Sequence, residues 1–354
     1  MFKTSNLLLT KPENIYYHTG FLGSYGFALL TKKGETYLFT DGRYALQAQK
    51  LCKKNTKIII MTETPQQELS KIFKKHKITQ LGFEANHLSY NAALKLRKEH
   101  KSTKLIPLDR AVDQLRVVKT EDELKLIKES QKLNEKVLQS VISQIKLGIS
   151  EAEIAWQIYK TARDLGAETT SFDPIVAFGA NSASPHYMAE HKRKLKKGDL
   201  ILIDMGVKLN QYCSDMTRVF FTTKPTAEQK EVYNTVLNAQ EYTIKNLRVG
   251  QKAFLGDKFA RDIIATCGFG DYFTHANGHG IGLEIHEAPS LSSKPKHTDR
   301  NLILQENTVV TVEPGVYLPN KFGIRIEDMI CLKANGTENF TKFPKKIEDM
   351  IIKL

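Results

Sequence analysis

The sequence predicts an α+β fold in two parts, a small mixed α/β domain over residues 1–117 and a larger domain over 118–354. Three observations carry this. At 354 residues the chain is too long for the usual single core and close to two domains of roughly 150 residues each. A helix start stands out at Thr120, where Glu123 three residues on completes a capping box, so a boundary is expected near 115–120. Beyond it, helices followed by strands occur twice, which suggests two related halves.

In the first part, 26–30 and 35–40 read as strands around the Lys32-Lys33-Gly34 turn, with a helical pattern from Tyr44. A short strand at 58–61 and a basic amphipathic helix at 66–77 follow. Thr40-Asp41-Gly42-Arg43-Tyr44 sits where the hairpin leaves its second strand, and a tight turn there explains Gly42 without any chemistry. In the second part the capped helix runs from Thr120 to Ile145. Ser150, with Glu153 as partner, caps another to Leu165. Strands dominate 173–223, helices cover 226–247 and 254–267, and strands return over 275–332.

Composition excludes whole classes. Hydrophobic residues at 41% and charged residues at 26% describe a folded chain and not a disordered one. No run approaches the ~18 apolar residues of a membrane helix, and Leu7-Leu8-Leu9 is too short for a signal-peptide core. A soluble, cytoplasmic protein with no membrane partner is expected. Cys52, Cys213, Cys267 and Cys331 form no CxxC pair, which fits free thiols in a reducing cytosol. The net charge of +13 permits polyanion contact. Its basic runs, 71–77 and 191–197, lack interleaved aromatics and read as solvated faces, so a nucleic-acid partner is not expected.

The chemistry lies in the second part. The buried-strand run Leu200-Ile201-Leu202-Ile203-Asp204 is followed by a second strand over 212–219. With a two-residue turn at Leu209-Asn210, positions summing to 419 face each other and Asp204 opposes Asp215. Downstream, a turn centred on Asn320 makes positions summing to 640 face each other, so Glu313 opposes Glu327. Like charges across a ladder repel, and more so when buried, so both arrangements ask for a cation. A one-residue slip would put the partners on opposite faces.

A third element is the segment from His275 to Glu287, in which Gly278 and Gly280 flank His279 and let the backbone come close to something. Neutral imidazole suits Zn, Mn, Co or Fe. Four carboxylates and an imidazole form an oxygen-rich set with charge enough for two divalent ions, which would activate water for hydrolysis. Arg325, two residues from Glu327 on a strand, shares its face and is placed to orient carboxylates or to bind a substrate carboxylate. Cys213 shares parity with Asp215, and packing is its expected role.

Five strings, Asp204-Met205-Gly206, Ser214-Asp215-Met216-Thr217-Arg218, Gly278-His279-Gly280-Ile281-Gly282 with His286-Glu287, Glu313-Pro314-Gly315 and Arg325-Ile326-Glu327-Asp328, resemble the aminopeptidase P and prolidase family in order and spacing. These are pita-bread-fold metallopeptidases, and the resemblance covers nearly the whole chain. It implies a creatinase-like first domain that limits access to the site and contributes to a homodimer, followed by a catalytic pita-bread domain. The implied metal ligands are Asp204, Asp215, His279, Glu313 and Glu327, with Asp215 and Glu327 bridging two divalent ions. Family habit favours Mn²⁺, with Co²⁺ or Zn²⁺ as alternatives.

The resemblance also implies that His186 contacts substrate and helps stabilise the tetrahedral intermediate, that His286 bonds the scissile region, and that His275 shapes a proline pocket. Glu313 would carry the proton from water to the leaving nitrogen. The implied activity is hydrolysis of the bond between an N-terminal residue and proline in proline-containing peptides, of aminopeptidase P type, with Xaa-Pro dipeptidase (prolidase) as the alternative. A strict dipeptidase needs a fixed positive group for the substrate carboxylate; Arg300 lies in the right interval, but its surroundings match poorly. From another class, the alternative is a non-catalytic binding protein on the same fold, which the complete ligand set disfavours.

Overall fold

Three leucines in a row, Leu7–Leu9 (β1), form a central strand, and the reason they do not alternate with polar residues lies in what covers them. The computed structural model describes residues 6–110, 112–294, 299 and 301–354, and the chain forms two compact units, Met1–Leu115 and Arg116–Leu354. In the first, β1 is followed by Pro12–Thr19 (α1), Phe27–Leu30 (β2), Thr36–Thr40 (β3), Ala45–Leu51 (α2) and Thr56–Ile60 (β4). Pro65–His76 (α3), Gln80–Glu84 (β5), Tyr90–Glu99 (α4) and Lys104–Leu108 (β6) complete it. The strands make one mixed sheet in the order β4-β3-β2-β1-β5-β6. Leu7 and Leu9 pack with Ile15 of α1 and Ala48 of α2, while Leu8 packs with Leu69, Ile72 and Phe73 of α3 and Leu96 of α4. Both faces are covered, and a strand buried on both sides needs no polar alternation.

Sequence reading did not anticipate β1, β5, β6, α1 or α4. The two sheet partners of β1 and the partner of β5 explain the strands: Leu7 pairs with Leu30 on one side and Gly82 on the other, and Gln80 pairs with Lys104. Such distant pairings leave no local signature. Asp41 caps the short turn after β3 by accepting from the Arg43 N–H at 2.9 Å.

The second unit opens with Glu121–Ile142 (α5) and Glu151–Asp164 (α6), capped by the Thr120/Glu123 and Ser150/Glu153 boxes. Thr169–Thr170 (β7), Ile175–Phe178 (β8), Leu200–Met205 (β9), Val207–Leu209 (β10), Tyr212–Cys213 (β11) and Met216–Phe221 (β12) follow. Strands occupy less of 173–223 than expected, since β8 leads into a 3₁₀ turn, Gly179–Ala183, and irregular chain up to 199. The helix pair then recurs as Ala227–Asn246 (α7) and Phe254–Thr266 (α8). The last strands are Gly278–Gly280 (β13), Glu287–Leu291 (β14), Val309–Val312 (β15), Gly315–Leu318 (β16), Phe322–Arg325 (β17), Asp328–Lys333 (β18) and Gly336–Asn339 (β19).

Three sheets frame the site: β12-β9-β8, β14-β13-β15-β18-β19 and the pair β16-β17. Every residue of β9 and β12 is buried, in a core that also takes Val137 and Val141 of α5, Ile154 and Ile158 of α6 and Ile264 of α8. Each fully buried Leu, Ile or Phe of such a core contributes about 1.5–3 kcal/mol by leaving water. The centre is thereby rigid enough to hold charged groups together. No helix among the described residues is long and apolar enough to cross a membrane.

Candidate metal centre

The β9–β12 hairpin differs from its expected register by one step of the turn. Asn210 and Gln211, both with positive φ (49° and 70°), form the turn between β10 and β11, as the right-handed twist of a two-residue hairpin favours. Facing positions therefore sum to 421, and Asp204 pairs with Thr217 instead of Asp215. A shift of two in the sum preserves parity, so Asp204 and Asp215 remain on one face. Gly206 makes the crossing tight, because a Cβ there would strike the Ser214 carbonyl oxygen. In the second hairpin facing positions sum to 640 in both β16–β17 and β15–β18. Glu313 and Glu327 sit where this ladder opens: the Glu313 N–H turns to Asn277 O at 2.9 Å and the Glu327 N–H to Thr217 O at 3.2 Å.

The glycines around His279 admit neighbouring strands and not a ligand. A Cβ on Gly278 would meet Thr311 O and one on Gly280 would meet Ala288 O. Held between β14 and β15, His279 directs Nδ1 at Gly280 O, 3.0 Å away, and Nε2 towards Asp215 Oδ2 at 3.5 Å and Glu313 Oε1 at 3.6 Å. A ring donating through Nδ1 presents the Nε2 lone pair to the acidic cluster, the orientation of a metal-ligating histidine.

Ligand atoms of Asp215, His279 and Glu327 all lie within 4.8 Å of one another. Three carboxylate oxygens, Asp204 Oδ1, Asp215 Oδ1 and Glu327 Oε1, are buried without a hydrogen-bond partner. Their companions are engaged where it matters: Asp204 Oδ2 accepts from Arg325 Nη2 at 2.6 Å, and Glu327 Oε2 accepts from Thr217 Oγ1 at 2.7 Å. Burial, and then repulsion among the four carboxylates, pushes Glu327 far above the usual carboxylate range. Burial likewise raises Glu313 to about 7 and Asp215 to about 6. Burial opposes a charge on His279, yet Asp215 and Glu313 raise it to about 9. Four carboxylates outnumber the Arg325 guanidinium and the His279 imidazole, and three of their oxygens lack a partner within the protein. The donor set fits two divalent ions.

Two family patterns span the chain. That of the creatinase/prolidase N-terminal domain matches residues 3–118, and that of metallopeptidase family M24 matches residues 125–334. The chain belongs to metallopeptidase family M24. It is similar to a solved Xaa-Pro dipeptidase from Bacillus anthracis, with 36% identity, a TM-score of 0.92 and coverage of 98% of this chain and 95% of that one. An X-Pro aminopeptidase from Thermotoga maritima is similar at 36% identity and a TM-score of 0.89, over 99% and 98% of the two chains. The Xaa-Pro dipeptidase of Pyrococcus furiosus is 33% identical over 96% of this chain and 94% of its own.

Around the M24 centre the histidines separate by environment. His275 is enclosed: Nδ1 contacts Ala276 O at 2.7 Å and Nε2 the Tyr317 hydroxyl at 2.8 Å. Arg325 Nη1 donates to the same hydroxyl at 2.6 Å, so Tyr317 has its proton left to give to His275. Burial lowers His275 to about 3, leaving it neutral. His186 and His286 are exposed. The His286 ring lies edge-on to His279 with centroids 4.4 Å apart, and desolvation, then His279 and His186, lower it to about 4. Both exposed rings stand near the buried cluster, since His186 also acts on His275.

Several site residues escaped sequence reading. Thr217 and Tyr317 are each an even number of positions from a carboxylate, Asp215 and Glu313, and the strand period that placed Arg325 would have placed them. Thr311, whose Oγ1 accepts the His279 N–H at 3.1 Å, stands two positions before Glu313 and carries the same signal. Glu287 is a brace, taking Arg116 at 2.7 Å and Lys119 at 2.9 Å in a buried cluster. Cys213 is buried with its thiol raised by burial to about 12, which suits packing and not ligation. Arg300 lies outside the described residues.

Proposed function

We propose that this M24 peptidase is an Xaa-Pro dipeptidase, hydrolysing the bond between an N-terminal residue and a C-terminal proline. The observation that carries the substrate class is similarity along nearly the whole chain to dipeptidases of that specificity from Bacillus anthracis and Pyrococcus furiosus. These relatives favour the dipeptidase over the aminopeptidase P type that the sequence motifs suggested. Mn²⁺ is the proposed native ion, in keeping with an oxygen-rich donor set, and the working form is a homodimer.

Asp204, Asp215, His279, Glu313 and Glu327 would hold two divalent ions, with Asp215 and Glu327 between them. Such ions supply Lewis acidity and make water a competent nucleophile at neutral pH. Arg325 keeps Asp204 oriented, so its guanidinium is committed to the chain itself rather than to a substrate carboxylate. Glu313 accepts a proton at its carboxylate and returns it to the departing proline nitrogen. His275 has both ring nitrogens occupied, and offers substrate only its ring as a wall for proline. His186 and His286, both exposed, are placed to hydrogen-bond the carbonyl oxygen as it gains charge.

Purified protein with added Mn²⁺ should cleave Xaa-Pro dipeptides with kcat/KM at least tenfold above Xaa-Pro-Xaa tripeptides. A preference for the tripeptides would return the assignment to aminopeptidase P, and inertness towards both would reject the proposed specificity.

A further inference from the structure

Charge is divided unevenly along this chain. Residues 1–115 hold 19 Lys and Arg against 9 Asp and Glu, a formal +10 of the whole chain's +13. The sheet topology then sorts these charges by end. β1, β5 and β6 run parallel, β4 runs parallel to β3, and β2 runs against both of its neighbours. One end of the sheet therefore gathers the β2–β3 turn, the entry to β4, the α3–β5 loop and the α4–β6 loop. On these stand Lys32, Lys33, Lys54, Lys77, Lys101 and Lys104, all exposed. None of the six is ion-paired among the described residues. Of the acids at this end, Glu35 already holds Lys57 and His76, and Glu99 is the other. The opposite end carries Glu13, Asp41, Glu63, Glu84, Asp109 and Asp113, largely in ion pairs or hydrogen bonds of its own.

A pocket of about 260 Å³ opens in the basic end, lined by Asn6, Thr31, Lys32, Lys33, His76 and Lys77 among others. The His76 side chain is only 6% exposed, and its Nδ1 is buried without a partner. An imidazole and three ammonium groups around one small cavity suit a single phosphate group. At ~4.8 Å per strand the six strands present a basic strip about 24 Å wide, comparable to the width of a nucleic-acid duplex.

The geometry points to this end of the first unit as a docking surface for the phosphate backbone of duplex nucleic acid, with one phosphate seated in the His76 pocket. The exposed aromatics of the unit, Tyr25 and Tyr90, belong to a loop and a helix start at the opposite end, so base stacking is not provided for. Contact is with phosphates alone and is independent of base sequence. The lysines form no run in the sequence because they come from four separate connections, and only the sheet aligns them. This surface is independent of the peptidase centre and of its assigned substrate.

Fluorescence anisotropy of the full chain with a labelled 20-bp duplex tests it. About five neutralised phosphates predict a slope near −4.5 for log K against log salt, with micromolar or tighter binding at 50 mM salt. Lys32→Glu, Lys33→Glu, Lys77→Glu and Lys101→Glu together should weaken binding more than tenfold and flatten the slope, with peptidase activity kept. The same charge change placed in the second unit, Lys125→Glu, Lys132→Glu, Lys230→Glu and Lys245→Glu, should cost less than threefold. If the first combination fails to fold, Lys33→Gln with Lys101→Gln serves the same comparison and should lower the slope by about two. Absence of duplex binding at 50 mM salt, equal losses in both sets, or tighter binding to phosphatidylserine vesicles than to duplex would each overturn the proposal.

Discussion

Asp328→Asn should cost the protein about 2 to 3 kcal/mol of stability at neutral pH, and the loss should fade on acidification. Asp328 is fully buried, and its oxygens accept from Arg218 at 2.8 Å, Lys345 at 2.7 Å and the Asn339 amide at 2.8 Å. Burial by itself would raise its pKa, but Arg218 and Lys345 outweigh burial and hold it at about 2 against an ordinary 3.8. That lowering corresponds to about 2 to 3 kcal/mol. Since the folded value is the lower one, the contribution is complete well above pH 3.8 and disappears as pH falls through about 2. By pH 3 it should be near half. Urea unfolding of both proteins in chelator, followed by circular dichroism and by the fluorescence of Trp156 on α6 of the same unit, gives the gap at pH 7, 5 and 3. A gap that is equal at pH 7 and pH 3, or below about 1 kcal/mol at pH 7, would refute the reasoning. The site has a stake in this cluster, because the buried Arg218 also donates to the main-chain carbonyls of Thr217 and Glu327 at 2.9 and 2.7 Å.

Chelation should abolish peptidase activity, with Mn²⁺ or Co²⁺ restoring it, and should lower the melting temperature, since ions at 100 times their dissociation constant add ~2.7 kcal/mol; full activity in a sample shown to be metal-free would exclude the metal reading. Asp215→Ala should lose at least one ion and nearly all turnover while its circular dichroism is unchanged, whereas Asp41→Ala, which removes a turn cap in the first unit, should leave metal content alone. Normal metal content and turnover in Asp215→Ala would remove that residue from the cluster. His186→Ala and His286→Ala should keep two ions and lose ~10²- to 10³-fold in turnover, the usual effect of deleting a transition-state donor; loss of metal in either would make that histidine a ligand.

By itself the sequence determined whatever depends on neighbours in the chain. Capping boxes at Thr120 and Ser150 need only a residue and its third successor, and both appear as expected. The 640 register of the Glu313 hairpin follows from a turn centred on Asn320, and strand parity is enough to put Arg325 on the face of Glu327. The first hairpin shows the limit of local reasoning: Asn210 reads as a turn residue, but whether Leu209 or Gln211 joins it is decided by twist and by the close approach of Gly206 to Ser214, so the register moves while the face does not. Tertiary structure alone decided that Arg325 spends its charge on Asp204 and that the glycines beside His279 make room for β14 and β15. It alone sealed His275 between Tyr317 and Ala276, and aligned lysines from separate loops at one end of the first sheet. The physical reason is common to all of these. Caps and parity are fixed by bonds within a few residues, whereas the partner of a buried charge, and the neighbours of a loop, are chosen by whichever distant strands the core brings alongside.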